Sequence, residues 1–293
     1  MSFLTDSRFA VFRGRRAMIT GGAGLIGSAV ARRLIDLGAQ VLLVDSMVPE
    51  GGANPANIDS IRDRVRIETV DIRDAAAMRL LLGGQEFLFD LAAQTSHMDS
   101  MSAPLHDLEV NTTAQLQLLE ACRAIAPEIV IVHAGTRQIY GRPRYIPVDE
   151  AHPLRATDVN AVNKTAGEAY HLLYHDVYGI KTRSLRLTNV YGPGMRIKDA
   201  KQNFLGIWVR LTLEGKAFEV WGGEQRRDMV FVEDAAEAFL AAAVTPQTAG
   251  TALNVGGDAA YSLAQIADTL IAANGSGRYA VKEFPPERKK IDI

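Results

Sequence analysis

The run Gly21-Gly-Ala-Gly24-Leu-Ile-Gly27 offers the clearest chemistry in the chain. Its glycines satisfy Gly-x-x-Gly-x-x-Gly and, from Gly22, Gly-x-Gly-x-x-Gly. Such a string permits a tight turn, close approach of backbone to a pyrophosphate, and close packing of the next helix on its strand. The N–H groups and positive dipole end of that helix bind an anion without a lysine. A glycine string alone is a weak signal, but this one follows an apolar run (17–20), opens a helical run (25–37), and is trailed by an acid. That acid is Asp45, at the end of a second apolar run (41–44). It stands about 18 residues past the last glycine, where a carboxylate accepts both hydroxyls of an adenosine ribose. It would repel a 2′-phosphate, and Ser46-Met47 rather than arginine follows, so the pattern selects NAD over NADP. A nicotinamide dinucleotide is therefore expected on Gly21, Gly24, Leu25, Ile26, Gly27 and Asp45.

The surrounding elements must present that turn at a sheet edge. Further apolar runs at 65–69, 87–91, 129–132 and 182–187 read as strands, and helical runs at 74–82, 110–124 and 159–178 fall between them. Short, nearly continuous apolar strands alternating with helices imply a parallel sheet covered on both faces. The fold class expected is α/β, a Rossmann-type doubly wound parallel sheet with a smaller C-terminal α/β substrate-binding lobe. Gly192-Pro193-Gly194 breaks the rhythm. Beyond it, helices are expected at 204–213, 234–244 and 263–273, and strands at 220–223, 230–232 and 252–255. The division expected is residues 1–191 for the dinucleotide domain and 192–293 mainly for the lobe, with 228–257 returning to the first. The tail ending Lys289-Lys290-Ile-Asp-Ile293 carries no helix cap, and the natural domain is expected to continue or to end in a cut segment.

Composition limits the alternatives. The chain has 293 residues, a net charge of −2 and intermixed acids and bases, so it has no basic surface for nucleic acid. No apolar run reaches the ~18 residues that span a bilayer, and no secretory signal opens the chain. Its single cysteine, Cys122, rules out an internal disulfide framework and is expected in the core. A cytoplasmic protein without metal is expected.

The glycine turn is joined, in order, by Asp71-Ile-Arg-Asp74, Leu91-Ala-Ala-Gln94 and Ser96-His97 through Pro104 to Asn111. Then come Gly135-Thr136-Arg-Gln-Ile-Tyr140-Gly141, Leu185-Arg-Leu-Thr-Asn189-Val-Tyr-Gly-Pro193, and Gly223-Glu-Gln-Arg-Arg227-Asp228. In this, from Ala17 to about Asp258, the chain resembles the extended short-chain dehydrogenase/reductases, specifically the NAD-dependent sugar-nucleotide epimerase/dehydratase family. The resemblance implies Asp71 and Ile72 near the adenine, and Leu91, Ala92 and Ala93 beside the cofactor. It implies Thr136 as the catalytic hydroxyl and Lys164 as the active-site lysine on the nicotinamide ribose. It places His97, Asn189, Asn203 and Arg227 toward a nucleotide-diphosphate sugar, with Arg227 offering a fork to the diphosphate and Trp208 and Trp221 in the gripping lobe. His133 is expected to point into the fold. The family's paired long helices imply a homodimer through 108–124 and 159–178, whose apolar residues spread over a wide arc.

The family carries Tyr-x-x-x-Lys on its long helix, and this chain has Asn160-Ala-Val-Asn163-Lys164. Asn160 therefore takes the tyrosine's place, and an amide cannot serve as a base near neutral pH. Tyr140, Tyr145, His97 and Asp99 are the candidates left in sequence. The function expected is that of an epimerase or dehydratase acting by transient hydride transfer to bound NAD with a non-standard base. The alternatives are a catalytically silent sensor or scaffold binding NAD and nucleotide-sugar, and an NADH-consuming reductase.

Overall fold

The computed structural model describes residues 6–48, 51–199 and 203–284. β1 (Arg16–Thr20) runs into the glycine turn and α1 (Leu25–Asp36) leaves it. Gly24 caps α1 without any side-chain hydrogen bond, so no side chain competes for the first-turn N–H groups. β2 (Gln40–Asp45) and β3 (Arg66–Thr69) follow, then α2 (Ala75–Leu81), capped by Asp74 onto the Ala77 N–H. After β4 (Phe87–Asp90) come two short helices, α3 (His97–Ser102) and α4 (Pro104–Leu108).

Residues 96–104 carry no apolar helical repeat, and their helices come from their ends instead. Ser96 caps α3 by accepting from the Asp99 N–H, and Pro104 starts α4, where a missing N–H costs nothing. The helix expected at 110–124 is α5 (Ala114–Ile125), entered through a π-helical turn, Glu109–Thr113. β5 (Val130–Thr136), the long α6 (Val159–Tyr178), β6 (Lys181–Leu187) and β7 (Asn189–Tyr191) complete the first part. Then come α7 (Phe204–Leu213), β8 (Phe218–Trp221), β9 (Arg226–Phe231) and α8 (Val232–Val244). Last are β10 (Ala252–Val255), β11 (Ala260–Ser262), α9 (Leu263–Asn274) and β12 (Tyr279–Lys282). β9 is longer than expected because the polar pair Arg226-Arg227 pairs with β11, a partner that apolar patterning does not reveal.

Seven strands form the main sheet in the order β10-β6-β5-β4-β1-β2-β3, every neighbouring pair parallel. Its order reverses between β1 and β4, so their connections leave in opposite directions and open a crevice at the strands' carboxyl ends. Phe12, Ile19, Phe89 and Phe239 fill one face of the sheet, and Met18, Leu88, Leu118 and Cys122 the other. Burial pushes the Cys122 thiol up to about 12, so it behaves as an inert core atom. The last third returns to the main sheet through β10, and α8 packs on α1. It also carries its own small core, in which Trp208 stacks on Phe218 with ring centroids 4.9 Å apart.

Candidate active site

A cleft of about 580 Å³ lies over the carboxyl ends of the strands, within the size range of cofactor and substrate sites. Gly21, Gly24, Leu25, Ile26 and Gly27 form one wall. Gly21 has φ +67°, and a Cβ there would stand 3.0 Å from the Leu91 carbonyl oxygen. A Cβ on Gly27 would fall 2.2 Å from the Gly21 oxygen. Turn, helix and neighbouring strand therefore meet backbone to backbone, and no side chain stands between the α1 N-terminus and an anion.

Asp45 is buried yet lines the same cleft. Its oxygens accept from the N–H groups of Ala23 at 3.0 Å and Met47 at 2.9 Å, which fix the carboxylate where β2 ends. Asp71 and Ile72 line the cleft beyond it. Hydrogen bonds from Arg73 hold the Asp71 carboxyl below the usual range. Leu91, Ala92 and Ala93 make the floor, braced by Thr20, whose hydroxyl accepts from the Leu91 and Ala92 N–H groups at 2.9 and 3.0 Å. That hydroxyl donates in turn to Asp90 at 2.8 Å. A glycine cradle at a helix start, followed by a fixed acid at ribose distance in sequence, fits NAD.

Thr136, Lys164, Asn160 and His97 line the other end. Thr136 Oγ1 accepts from the Gln138 N–H at 3.2 Å, so it ties down its own turn while facing the cleft. Lys164 Nζ donates to the Ala134 carbonyl at 3.0 Å. Burial pushes the Lys164 pKa down, and the charges of Asp90 and Asp107 oppose that shift. Asn160 spends its amide hydrogens on the Gln94 carbonyl at 2.7 Å and on Asp107 at 3.0 Å. Asn163 reaches the other Asp107 oxygen at 2.8 Å. Helix α6 is thus bolted to α4 through a carboxylate with no exposed surface.

His97 Nδ1 lies 2.9 Å from Asp158, and its Nε2 lies 3.3 Å from the Gln138 side-chain nitrogen. Burial works against the Asp158 charge, but His97 and the N–H groups of Ala161 and Asn160 outweigh it and hold the carboxyl below its ordinary value. The other base candidates divide. Asp99 lines the cleft. Tyr140 does not: its hydroxyl donates to Asn254 at 2.7 Å and accepts from Arg186 at 2.6 Å. Tyr145 is also outside the cleft and donates to Asp149 at 2.7 Å.

On the substrate side, Asn189 and Asn203 line the cleft, but both are anchored. Asn189 donates to the Asp228 carbonyl, and Asn203 caps α7 while donating to the Val190 carbonyl. Arg227 is buried and lies outside the cleft wall, its guanidinium donating to the Arg226 carbonyl at 3.0 Å; Arg137 and Arg196 line the cleft instead. Trp208 and Trp221 also stand away from it. His133 is buried as expected, stacked on His171 with ring centroids 4.4 Å apart.

The sequence reading missed Asp107, Gln138 and Asp158. Asp158 was within reach, since an aspartate just before a helical run is a standard N-cap and it accepts here from the Ala161 N–H at 2.8 Å. Asp107 carries no such sign, because its partners come from another helix.

The family model for the NAD dependent epimerase/dehydratase family matches residues 17–256. The chain belongs to that family. A UDP-glucose 4-epimerase of Mycolicibacterium smegmatis is 30% identical over 275 residues, which cover 93% of this chain and 86% of the relative. A dTDP-glucose 4,6-dehydratase of Streptomyces griseus is 29% identical over 285 residues, covering 94% of this chain and 83% of that one. The solved structure of a Thermus thermophilus UDP-glucose 4-epimerase in complex with NAD superposes with a TM-score of 0.80 at 28% identity, covering 92% of this chain and 87% of the other. The epimerases among these relatives are isomerases and the dehydratases are lyases, so membership fixes NAD-dependent sugar-nucleotide chemistry and leaves the subclass open. No helix among the described residues is long and apolar enough to cross a membrane.

Proposed function

We propose that this protein is an NAD-dependent epimerase of a nucleotide-diphosphate sugar, working by transient oxidation of a ring carbon. The observation that carries this reading is one continuous cleft with the glycine cradle and Asp45 at one end and Thr136 and Lys164 at the other. NAD, when bound, supplies a hydride acceptor at the Lys164 end. Lys164 holds a positive charge beside the nicotinamide ribose, and Thr136 offers a hydroxyl to the reacting sugar oxygen. Arg137, on the wall with Asn189, suits an anionic diphosphate, and Arg196 lies there too with its guanidinium already paired to Asp199 at 2.6 Å. Elimination of water would need a second acid–base pair acting on the neighbouring carbons. Beside Thr136 the cleft presents Arg137 and Gln138 rather than carboxylates, which favours epimerisation.

The division of labour follows the fold. Residues 1–191 with the returning 228–257 hold the cofactor, and the rest of 192–293 contributes the substrate wall. A homodimer is part of the proposal: α6 leaves Val162, Leu173 and Val177 exposed along one stripe, with Tyr178 beyond. Such a stripe is covered by something, and a two-fold partner is the commonest cover. A cytoplasmic setting suits the single buried thiol.

The purified protein would be incubated with UDP-, GDP-, CDP- and dTDP-sugars, following sugar configuration by NMR and bound nicotinamide by fluorescence. Interconversion of two sugars with no net NADH supports an epimerase. A dehydrated keto-sugar would assign a dehydratase, stoichiometric NADH consumption a reductase, and NAD retention without turnover a silent binder.

A further inference from the structure

We propose that His97, oriented by Asp158, is the general acid–base of this site, in the role that the resemblance gives to a tyrosine this chain lacks. This rests on the reading of the site as one that oxidises a sugar hydroxyl.

Oxidation of an alcohol by hydride loss needs a group to take the hydroxyl proton. Asn160 cannot, and both its amide hydrogens are already spent. Lys164 donates to a carbonyl and, in its charged form, has no lone pair. Thr136 is too weak an acid or base near neutrality. Tyr140 and Tyr145 lie outside the cleft. Asp45, Asp71 and His106 also line the cleft but stand toward its other end, His106 Nδ1 lying 3.5 Å from the Arg73 that bonds Asp71. Of the two groups on α3 in the cleft wall, Asp99 carries a carboxylate, a far weaker base toward an alcohol than the imidazole of His97.

The placement of His97 is specific. Its ring bridges Asp158, two residues before Asn160, and Gln138, two residues after Thr136. It is therefore tied to a near neighbour of each position that should flank the reacting hydroxyl, and it lines the same cleft as both. Asp158 is behind it, with its side chain 1% exposed, and the His97 side chain is 34% exposed in front. A buried carboxylate against Nδ1 selects the Nδ1–H tautomer and turns the Nε2 lone pair toward the cleft, where the Gln138 amide meets it. The Nδ1 contact is close but not aligned, for neither atom makes a straight hydrogen bond. Acid–base contacts often straighten when substrate is engaged. The charged groups around it are Asp158 against Nδ1 and, in the same cleft wall, Lys164 of α6, Asp99 of α3 and Arg137 after β5.

In the oxidative step a ring hydroxyl takes the place of the Gln138 amide at Nε2, its O–H bond breaks and its proton passes to that nitrogen. The oxygen's electron pair completes a C=O bond as the carbon's hydrogen leaves as hydride to the nicotinamide of NAD. The imidazolium is then balanced by the Asp158 carboxylate, and reversal returns proton and hydride to the sugar.

The test uses His97→Gln and Asp158→Asn in the full chain; asparagine keeps the cap of α6. With a turned-over sugar, His97→Gln should lower kcat by ~10²–10⁴-fold with KM and NAD retention little changed. It should also erase the acidic limb of the pH–kcat profile. Asp158→Asn should move that limb to lower pH, because the imidazolium loses its counter-charge. A His97→Gln variant that keeps wild-type kcat and its acidic limb overturns the proposal. Wild-type silence toward every sugar would instead count against the function reading. Nitrogen NMR of the imidazole in the NAD-loaded protein would still decide the couple. An Nδ1–H tautomer whose titration shifts to lower pH in Asp158→Asn supports it, and an Nε2–H tautomer or an unmoved titration overturns it.

Discussion

The Asn160 amide nitrogen lies 3.0 Å from one oxygen of Asp107, and the Asn163 amide lies 2.8 Å from the other. Two side chains one turn apart on α6 thus give each oxygen of a carboxylate with no exposed surface one donor. Asn160→Ala should leave one of those oxygens unpartnered and lower stability by about 1–3 kcal/mol. Urea unfolding measures it. Asn160→Tyr should be destabilising as well and should not raise turnover. A phenol donates one hydrogen where Asn160 gives two, to Gln94 and Asp107.

The glycine turn predicts a ranking. Gly27→Ala places a methyl 2.2 Å from the Gly21 oxygen, and Gly24→Ala places one at 3.2 Å from the same atom. The first requires backbone to move and should abolish NAD retention, while the second asks for a shift of tenths of an ångström and should only weaken it. Calorimetric titration with NAD, alongside circular dichroism to confirm folding, separates the two.

Asp45→Asn should relax cofactor choice. The variant keeps one acceptor oxygen and loses one charge-assisted hydrogen bond to a ribose, about 1.5–3 kcal/mol, and with it the repulsion of a 2′-phosphate. NAD affinity should fall by roughly 10–150-fold on that figure, and NADP affinity should rise toward it. Competition between the two cofactors for the site gives the ratio directly.

Acid stability should depend on Asp158. Its folded-state pKa lies below the ordinary 3.8, so it contributes stability above that value and loses it as pH falls through the lowered one. Asp158→Asn should therefore be less stable than wild type at neutral pH, and the difference should close below about pH 3.8. Urea midpoints from neutral to acid pH test the sign.

The exposed stripe on α6 predicts assembly. Leu173 and Val177 are 48% and 59% exposed and lie one turn apart. Leu173→Arg with Val177→Arg should convert a dimer to a monomer in sedimentation, with the melting temperature of the monomer fold preserved because neither side chain is in the core.

The parts of this protein set by local sequence were legible. Gly21 and Gly27 announce a turn because a side chain at either would meet backbone, and the apolar runs around them announce a buried parallel sheet. Asn160 was visible as a departure, but its role was not. That role depends on Asp107, which lies 53 residues away in α4 and meets α6 only in the folded chain. His97 was placed near substrate for its motif alone, and its pairing with Asp158 joins the start of α3 to the start of α6. Arg227 shows how far a motif alone reaches. It lies within β9 and donates to the Arg226 carbonyl, while Arg137 and Arg196 line the cleft wall, a placement that only the folded chain reveals.

Thr20 has a wider consequence. By accepting from Leu91 and Ala92 and donating to Asp90, its hydroxyl staples the last residue of β1 to the end of β4 across the point where the sheet reverses. The crevice is therefore set open by folding itself and does not have to be assembled around a ligand. The entropy of ordering these two strand ends is already spent before any dinucleotide arrives, so little of its contact energy is lost to organising the protein. A pre-organised seat of this kind favours a cofactor that stays through many turnovers over one that must come and go.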